Sequence, residues 1–193
     1  MSLAQCLFRC RGLELTLTVG YFESLARTGK VSVCSIGVKG DNSIKNLFDV
    51  ALANQVKQRI DSLRIDSERQ WGKMSVAQTI AHCASGLEMA LCEIRPPRAL
   101  IGRLIGSAIK PKVVGNDEHF RRNSPTVGEL VIRGERNLDA ERVRLCSLID
   151  KFVSGGTSVC TTHPHPFFGP LTPPEWAVLM YKHLDHHLRQ FGA

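Results

Sequence analysis

A chain of 193 residues can form one domain with a real core, or a domain with an appendage. Hydrophobic residues make up 43%, ordinary for a soluble globular protein, and no apolar run reaches the roughly 18 residues of a membrane span. The formal charge of +7 gathers most at Arg95, Arg98, Arg103, Lys110, Lys112, Arg121 and Arg122, a region that reads as loop-rich. Without a helix-turn-helix, zinc-finger or aromatic-basic motif, this excess reads as a solvated face or a docking rim for an anionic small molecule. A nucleic-acid partner is not expected.

The first 20 residues fit a secretory signal poorly, because Arg9 and Arg11 interrupt the apolar stretch. Seven cysteines, at 6, 10, 34, 83, 92, 146 and 160, are odd in number and follow no pairing pattern. They read as reduced, mostly buried thiols of a cytoplasmic protein. Residues 1–42 form a poorly defined N-terminal extension. It is a loose hairpin over Leu13–Val19 and Val31–Val38, an unstructured segment, or upstream sequence translated from a misplaced start. The domain boundary is expected near Asp41–Ser43, with one folded domain over 43–193.

Four helices are expected in that domain. The first runs from about Leu47 to Leu63, with Phe48, Leu52, Val56, Ile60 and Leu63 on one face and Asn46 as N-cap. The second opens at Ser75, which with Gln78 forms a capping box, and ends before Pro96–Pro97. A long connection covers 98–136, with a short amphipathic helix over Ala99–Ile109 and an extended stretch at Glu129–Arg133. The third helix covers about Leu138 to Val153, with Val143, Leu145, Ile149 and Phe152 as its apolar set, and Gly155–Gly156 ends it. The fourth opens with Thr172-Pro173-Pro174-Glu175, a capping box with proline at the first helical position, and runs to about Gln190. These elements predict an all-α fold, a four-helix bundle whose long connection is a crossover.

His183 and His187 lie four apart, so they share one face of the fourth helix and can share one ion. On spacing alone the pair also fits two polar residues capping the edge of a core. His186 points away from the stripe of Trp176, Met180, Leu184 and Phe191, toward Lys182, and reads as surface or as support for the ligands. His82 lies opposite Val76, Ile80 and Leu87, beside Gln78, Gly86 and Met89; alone it is a surface or structural histidine as readily as a ligand. Gly86, one turn on, leaves room beside it for a pocket. If the second and fourth helices are antiparallel with flush ends, His82, His183 and His187 stand at similar heights. The segment Thr162-His163-Pro164-His165-Pro166-Phe167-Phe168-Gly169 allows three readings. It is a second metal site using Cys160, His163 and His165, a lid carrying His165 to the first site, or a stiff proline-rich connector.

Three stretches together resemble the DinB-like superfamily of metalloenzymes. They are Trp71-Gly72-Lys73-Met74-Ser75-Val76-Ala77-Gln78 through His82, then His165-Pro166-Phe167-Phe168-Gly169, then His183-Leu184-Asp185-His186-His187-Leu188-Arg189-Gln190-Phe191-Gly192. The resemblance covers about residues 43–192. It implies a four-helix bundle wired up-down-down-up and a metal triad of His82, His183 and His187. It also implies one divalent ion, zinc or nickel by preference, with an open coordination position. The implied activities are thiol-dependent S-transfer, with a low-molecular-weight thiol as co-substrate, or hydrolysis of a small molecule. The alternative is a non-catalytic module that binds a metal or small molecule. The expected partner is a small-molecule substrate, with no membrane, and a homodimer is compatible. No catalytic side chain beyond the ligands is assigned, and His165 and His186 are the candidates for a lid or a supporting role. Because ligands must be neutral imidazoles, metal affinity is expected to fall as the pH drops through the region near 6.5.

Overall fold

A computed structural model describes residues 43–124 and 128–193, with Glu129 described by its backbone alone. The readings made for residues 1–42 lie outside the described residues. The described chain is all-helical: α1 (Val50–Ser62), α2 (Val76–Ala90), α3 (Leu100–Val114), α4 (Leu138–Gly155) and α5 (Pro173–Arg189). No described helix is long and apolar enough to cross a membrane.

The helix starts follow from capping chemistry. Ser75 accepts the backbone N–H of Gln78, whose side chain returns to the backbone N–H of Ser75. Thr172 and Glu175 make the same reciprocal pair at α5, with proline in its first turn. Each satisfies two N–H groups that a helix N-terminus leaves unpaired. Ser75→Ala is expected to lower stability by about 1 kcal/mol. In chemical denaturation this would appear as a lower midpoint at unchanged slope.

The first helix begins later than expected. Asp49, not Asn46, is its cap, accepting from the N–H groups of Ala51 and Leu52 at 2.8 and 3.1 Å. Asn46 instead folds a turn by accepting from Phe48 N. The turn buries Leu47 and lets its N–H reach the carbonyl of Ala177 on α5 at 3.0 Å. Tertiary docking thus takes the residues that local periodicity assigned to the helix.

The core lies among α1, α2, α4 and α5. α2 packs most extensively on α4 and also on α5, and α1 packs on α4 and α5. Trp176, Phe152, Leu145, Ile149, Leu87 and Ile80 are among its largest fully buried side chains. Val143 departs from its expected place: it is 71% exposed, because α4 turns it away from α2. Gly156, at φ +55°, adopts a backbone conformation that favours glycine, and it ends α4 as expected.

The basic stretch near residue 100 is not a loop. α3 runs five residues past the expected end, through Pro111. Its last turn is held by Lys182, which is buried and donates from Nζ to the carbonyls of Val113 (2.6 Å) and Asn116 (3.1 Å). A lysine at a helix C-terminus satisfies carbonyls that have no partner within the helix. Lys182 is therefore no marker of a solvent face. Gly102 and Gly106 lay α3 directly on the 165–169 segment. A Cβ at Gly106 would stand 1.9 Å from the carbonyl oxygen of Phe167. The opposite face of α3 exposes Leu100, Ile101, Leu104 and Ile105.

The extended stretch expected at Glu129–Arg133 is absent. Gly128–Leu130 forms a 3-10 turn followed by irregular chain. The turn buries Leu130 and lets its carbonyl accept from Nδ1 of His82, and no strand among the described residues is there to pair with an extended segment.

Candidate metal centre

α2 carries His82, and α5 carries His183 and His187. One ring nitrogen from each lies within 4.8 Å of the other two. Among the described residues this is the only group of three or more His, Cys, Asp or Glu side chains close enough to hold one ion. Bonds of about 2.0–2.1 Å to one tetrahedral ion would space the nitrogens by about 3.3 Å. Nε2 of His183 and Nε2 of His82 are 3.0 Å apart.

The donor set fits a divalent ion because two of its protons are already assigned. Nδ1 of His82 donates to the carbonyl oxygen of Leu130 at 2.8 Å, which leaves a lone pair on Nε2. Nδ1 of His187 lies 2.9 Å from Oε1 of Gln190. The Gln190 amide is itself oriented, since its Nε2 donates to the carbonyl of Trp71 at 2.8 Å. Oε1 must therefore accept, Nδ1 of His187 must carry the proton, and Nε2 of His187 is free. Ligating histidines commonly hold their other ring N–H in this way. In the absence of an ion, Nε2 of His183 donates to the His82 lone pair. Binding requires that proton to leave Nε2, most simply by a change to the Nδ1–H tautomer.

Burial keeps these rings neutral. Desolvation holds His82 below its ordinary range, partly offset by the bond to Leu130. It pushes His187 down to about 3, with the neighbouring His82 adding to the shift and Gln190 opposing it. His183 is pushed well below its usual value by burial and then by the charges of His187 and His82. Metal affinity is therefore expected to fall at a lower pH than it would for three exposed imidazoles. Of the three, His183 alone is not fully buried, so the cluster meets solvent at its edge.

The pattern on α2 misleads about His82. The helix is buried nearly all round, so the side opposite Ile80 and Leu87 is also interior. The room left by Gly86 is no pocket. It is filled by the His183 ring, and a Cβ at Gly86 would meet Cε1 and Nδ1 of that ring at 3.1 Å. Gly86→Val is expected to displace the ring and weaken metal binding by at least about tenfold, with all three ligands still present. Elemental analysis and competition with a chelator measure this loss, and circular dichroism checks that helicity holds.

His186 stands outside the cluster. Its ring lies between Trp71 and Phe120, at centroid distances of 5.5 and 5.9 Å, and next to His187 at 5.1 Å. It is half-buried rather than on the surface. Cys160, His163 and His165 are not brought together. Sγ of Cys160 lies by the carbonyl of Gly156, and Nδ1 of His165 accepts the N–H groups of Phe167 and Phe168. Burial pushes the Cys160 thiol up to about 11 and the Cys83 thiol further. Of the four described cysteines, all free, only Cys83 is fully buried. The two hollows between α1 and α4, bordered by Asn54, Lys57 and Asp150, lie on helices that carry none of the three histidines.

Sequence reasoning missed the groups that support the three histidines: Gln190, the carbonyls of Trp71 and Leu130, and Gly72. A Cβ at Gly72, where φ is +81°, would stand 2.5 Å from Nε2 of Gln190, so glycine is what lets the amide reach Trp71. Spacing gave one available signal, since Gln190 follows His187 by three and faces the same side.

A family model described as Protein of unknown function (DUF1569) matches residues 43–193. No curated protein and no solved structure matches the chain.

Proposed function

The chain belongs to the DUF1569 family, and from the histidine geometry of this member we propose a metal-dependent enzyme acting on a small molecule, by thiol-dependent S-transfer or by hydrolysis. The observation that carries this reading is the convergence of three neutral imidazoles, two of them with Nδ1–H committed to an acceptor. His82, His183 and His187 would hold one divalent ion, with zinc or nickel preferred for an all-imidazole set. The bound ion would supply Lewis acidity, which lowers the pKa of a water or a thiol. Three protein ligands leave a position for one of these, whereas a closed structural site normally uses four.

Architecture supports the same reading. α1, α2, α4 and α5 are read as a four-helix bundle of the DinB-like kind, with α3 inside the crossover between α2 and α4. Gln190 and Leu130 hold two ligand rings in place, and Trp71 holds Gln190. The small-molecule substrate would reach the cluster past His183. The four free thiols accord with a reducing compartment such as the cytoplasm. The burial of His82 and His187 favours a second reading, a non-catalytic metal or small-molecule binding module, because it narrows access to the cluster.

Turnover separates the two. Metal-loaded protein is incubated with a low-molecular-weight thiol and a generic electrophile, and in parallel with activated esters and amides. Metal-dependent turnover that is lost in His82→Ala supports the enzyme. Stoichiometric metal binding without turnover of either class leaves the binding module, and protein that takes up no divalent ion defeats the enzyme and the metal-binding module alike.

A further inference from the structure

The segment 165–169 has a feature that the histidine cluster does not use. His165 and Gly169 face each other across an antiparallel bridge, exchanging N–H···O bonds of 2.9 and 3.0 Å. Residues paired in this way direct their side chains to the same face. Gly169 has no side chain, and the Arg98 guanidinium occupies that space. A Cβ there would stand 2.9 Å from Nη1 and 3.5 Å from Cζ. Arg98 thus lies against the bridge at Gly169, and its charge acts on the His165 imidazole.

Each group keeps a donor without an acceptor. Arg98 makes one side-chain hydrogen bond, from Nη2 to the carbonyl of Gly102 at 3.1 Å, and its buried Nε has no partner. Among the described residues no carboxylate pairs with it. Nδ1 of His165 accepts from Phe167 N at 3.0 Å and Phe168 N at 3.2 Å. Two N–H groups aimed at one ring nitrogen require its lone pair, so the ring proton sits on Nε2. Nε2–H has no protein acceptor among the described residues. Burial and the Arg98 charge together push the imidazole down to about 4, so it stays a neutral donor at physiological pH. The ring packs on Trp176 of α5 at 5.6 Å, which fixes its direction, and it lies near enough to His183 for their charges to interact.

We propose that Arg98 and the Nε2–H of His165 form a receptor for a small oxyanion, a carboxylate or phosphate group of the ligand that the histidine cluster serves. A guanidinium and an imidazole N–H offer donors and one positive charge but no acceptor. The matching ligand group is rich in acceptors and negatively charged. The link to the cluster's ligand rests on the function proposed above; the receptor itself does not. His165 acts in it as a hydrogen-bond donor, neither a metal ligand nor a base.

The test uses the full chain with metal removed by chelation, so that an ion cannot itself bind the probe. Inorganic phosphate and acetate are titrated separately by calorimetry. Nitrogen-detected NMR of the imidazoles reports the His165 tautomer on the unmodified protein. The expected result is an Nε2–H tautomer whose resonance shifts with saturable binding of at least one anion. Arg98→Gln and His165→Phe should each weaken that binding by about tenfold or more, and Arg98→Lys by less. An Nδ1–H tautomer, no saturable binding of either anion, or equal binding by Arg98→Gln overturns the proposal. Metal content measured on reloaded samples reports separately on the histidine cluster, so the two readings fail independently.

Discussion

His187→Ala is expected to nearly abolish ion binding, while His186→Ala leaves it close to one ion per chain. The two residues are neighbours on one helix turn, yet only His187 presents a nitrogen to His82 and His183. Its removal leaves two imidazoles, which should lower affinity by more than about a hundredfold. His82→Ala and His183→Ala should match it. His186 packs against Trp71 and Phe120 instead, so its loss touches the site only through contact with the His187 ring. Gln190→Ala should fall between the extremes, at about ten- to a hundredfold, because it frees the tautomer of His187 without removing a ligand. Elemental analysis and chelator competition on the five variants check the order. Equal losses at 186 and 187 would refute the facing geometry, and full retention in the His82 variant would refute the triad.

Metal-free protein should lose several kcal/mol of stability between about pH 6.5 and pH 4. The sign follows from the depressed values of the buried histidines. In the unfolded chain each histidine takes up a proton near its ordinary pKa of about 6.5. In the folded protein burial holds His165 at about 4 and His187 at about 3, and holds His82 and His183 low as well. Below about 6.5 the unfolded state binds more protons, so stability is full above that pH and drains away as the pH falls toward the folded values. A depression from 6.5 to about 4 makes His165 alone worth on the order of 3 kcal/mol, at about 1.4 kcal/mol per pKa unit. Denaturant midpoints at pH 7.5, 5.5 and 4.5 in the presence of chelator measure the drop, and His165→Phe should flatten it in part. Midpoints that hold constant down to pH 4.5 would mean the rings are not sealed as described.

Local rules carried much of this protein in its sequence. Ser75 with Gln78 and Thr172 with Glu175 announce helix starts because a capping box is satisfied within four residues. Gly156 announces a helix end because its backbone conformation disfavours a side chain. The i,i+4 spacing of His183 and His187 puts them on one face in any α-helix. What the sequence could not decide was everything that needs a second element. His82 looked peripheral because its own helix shows a face opposite Ile80 and Leu87; α2 is enclosed on nearly every side, and only packing against α5 brings its Nε2 to His183. Asn46 lost the cap to Asp49 because Leu47 had to dock on Ala177, and α3 outran its periodicity because Lys182 caps it from α5. The ring protons of His82 and His187 were likewise invisible, since they are fixed by Leu130 and by Gln190 reaching Trp71 across the fold. Short-range hydrogen bonds and helical spacing are properties of neighbouring residues and can be recognised in the chain. Burial and the convergence of the three histidines depend on partners dozens of residues away, and only the tertiary structure sets them.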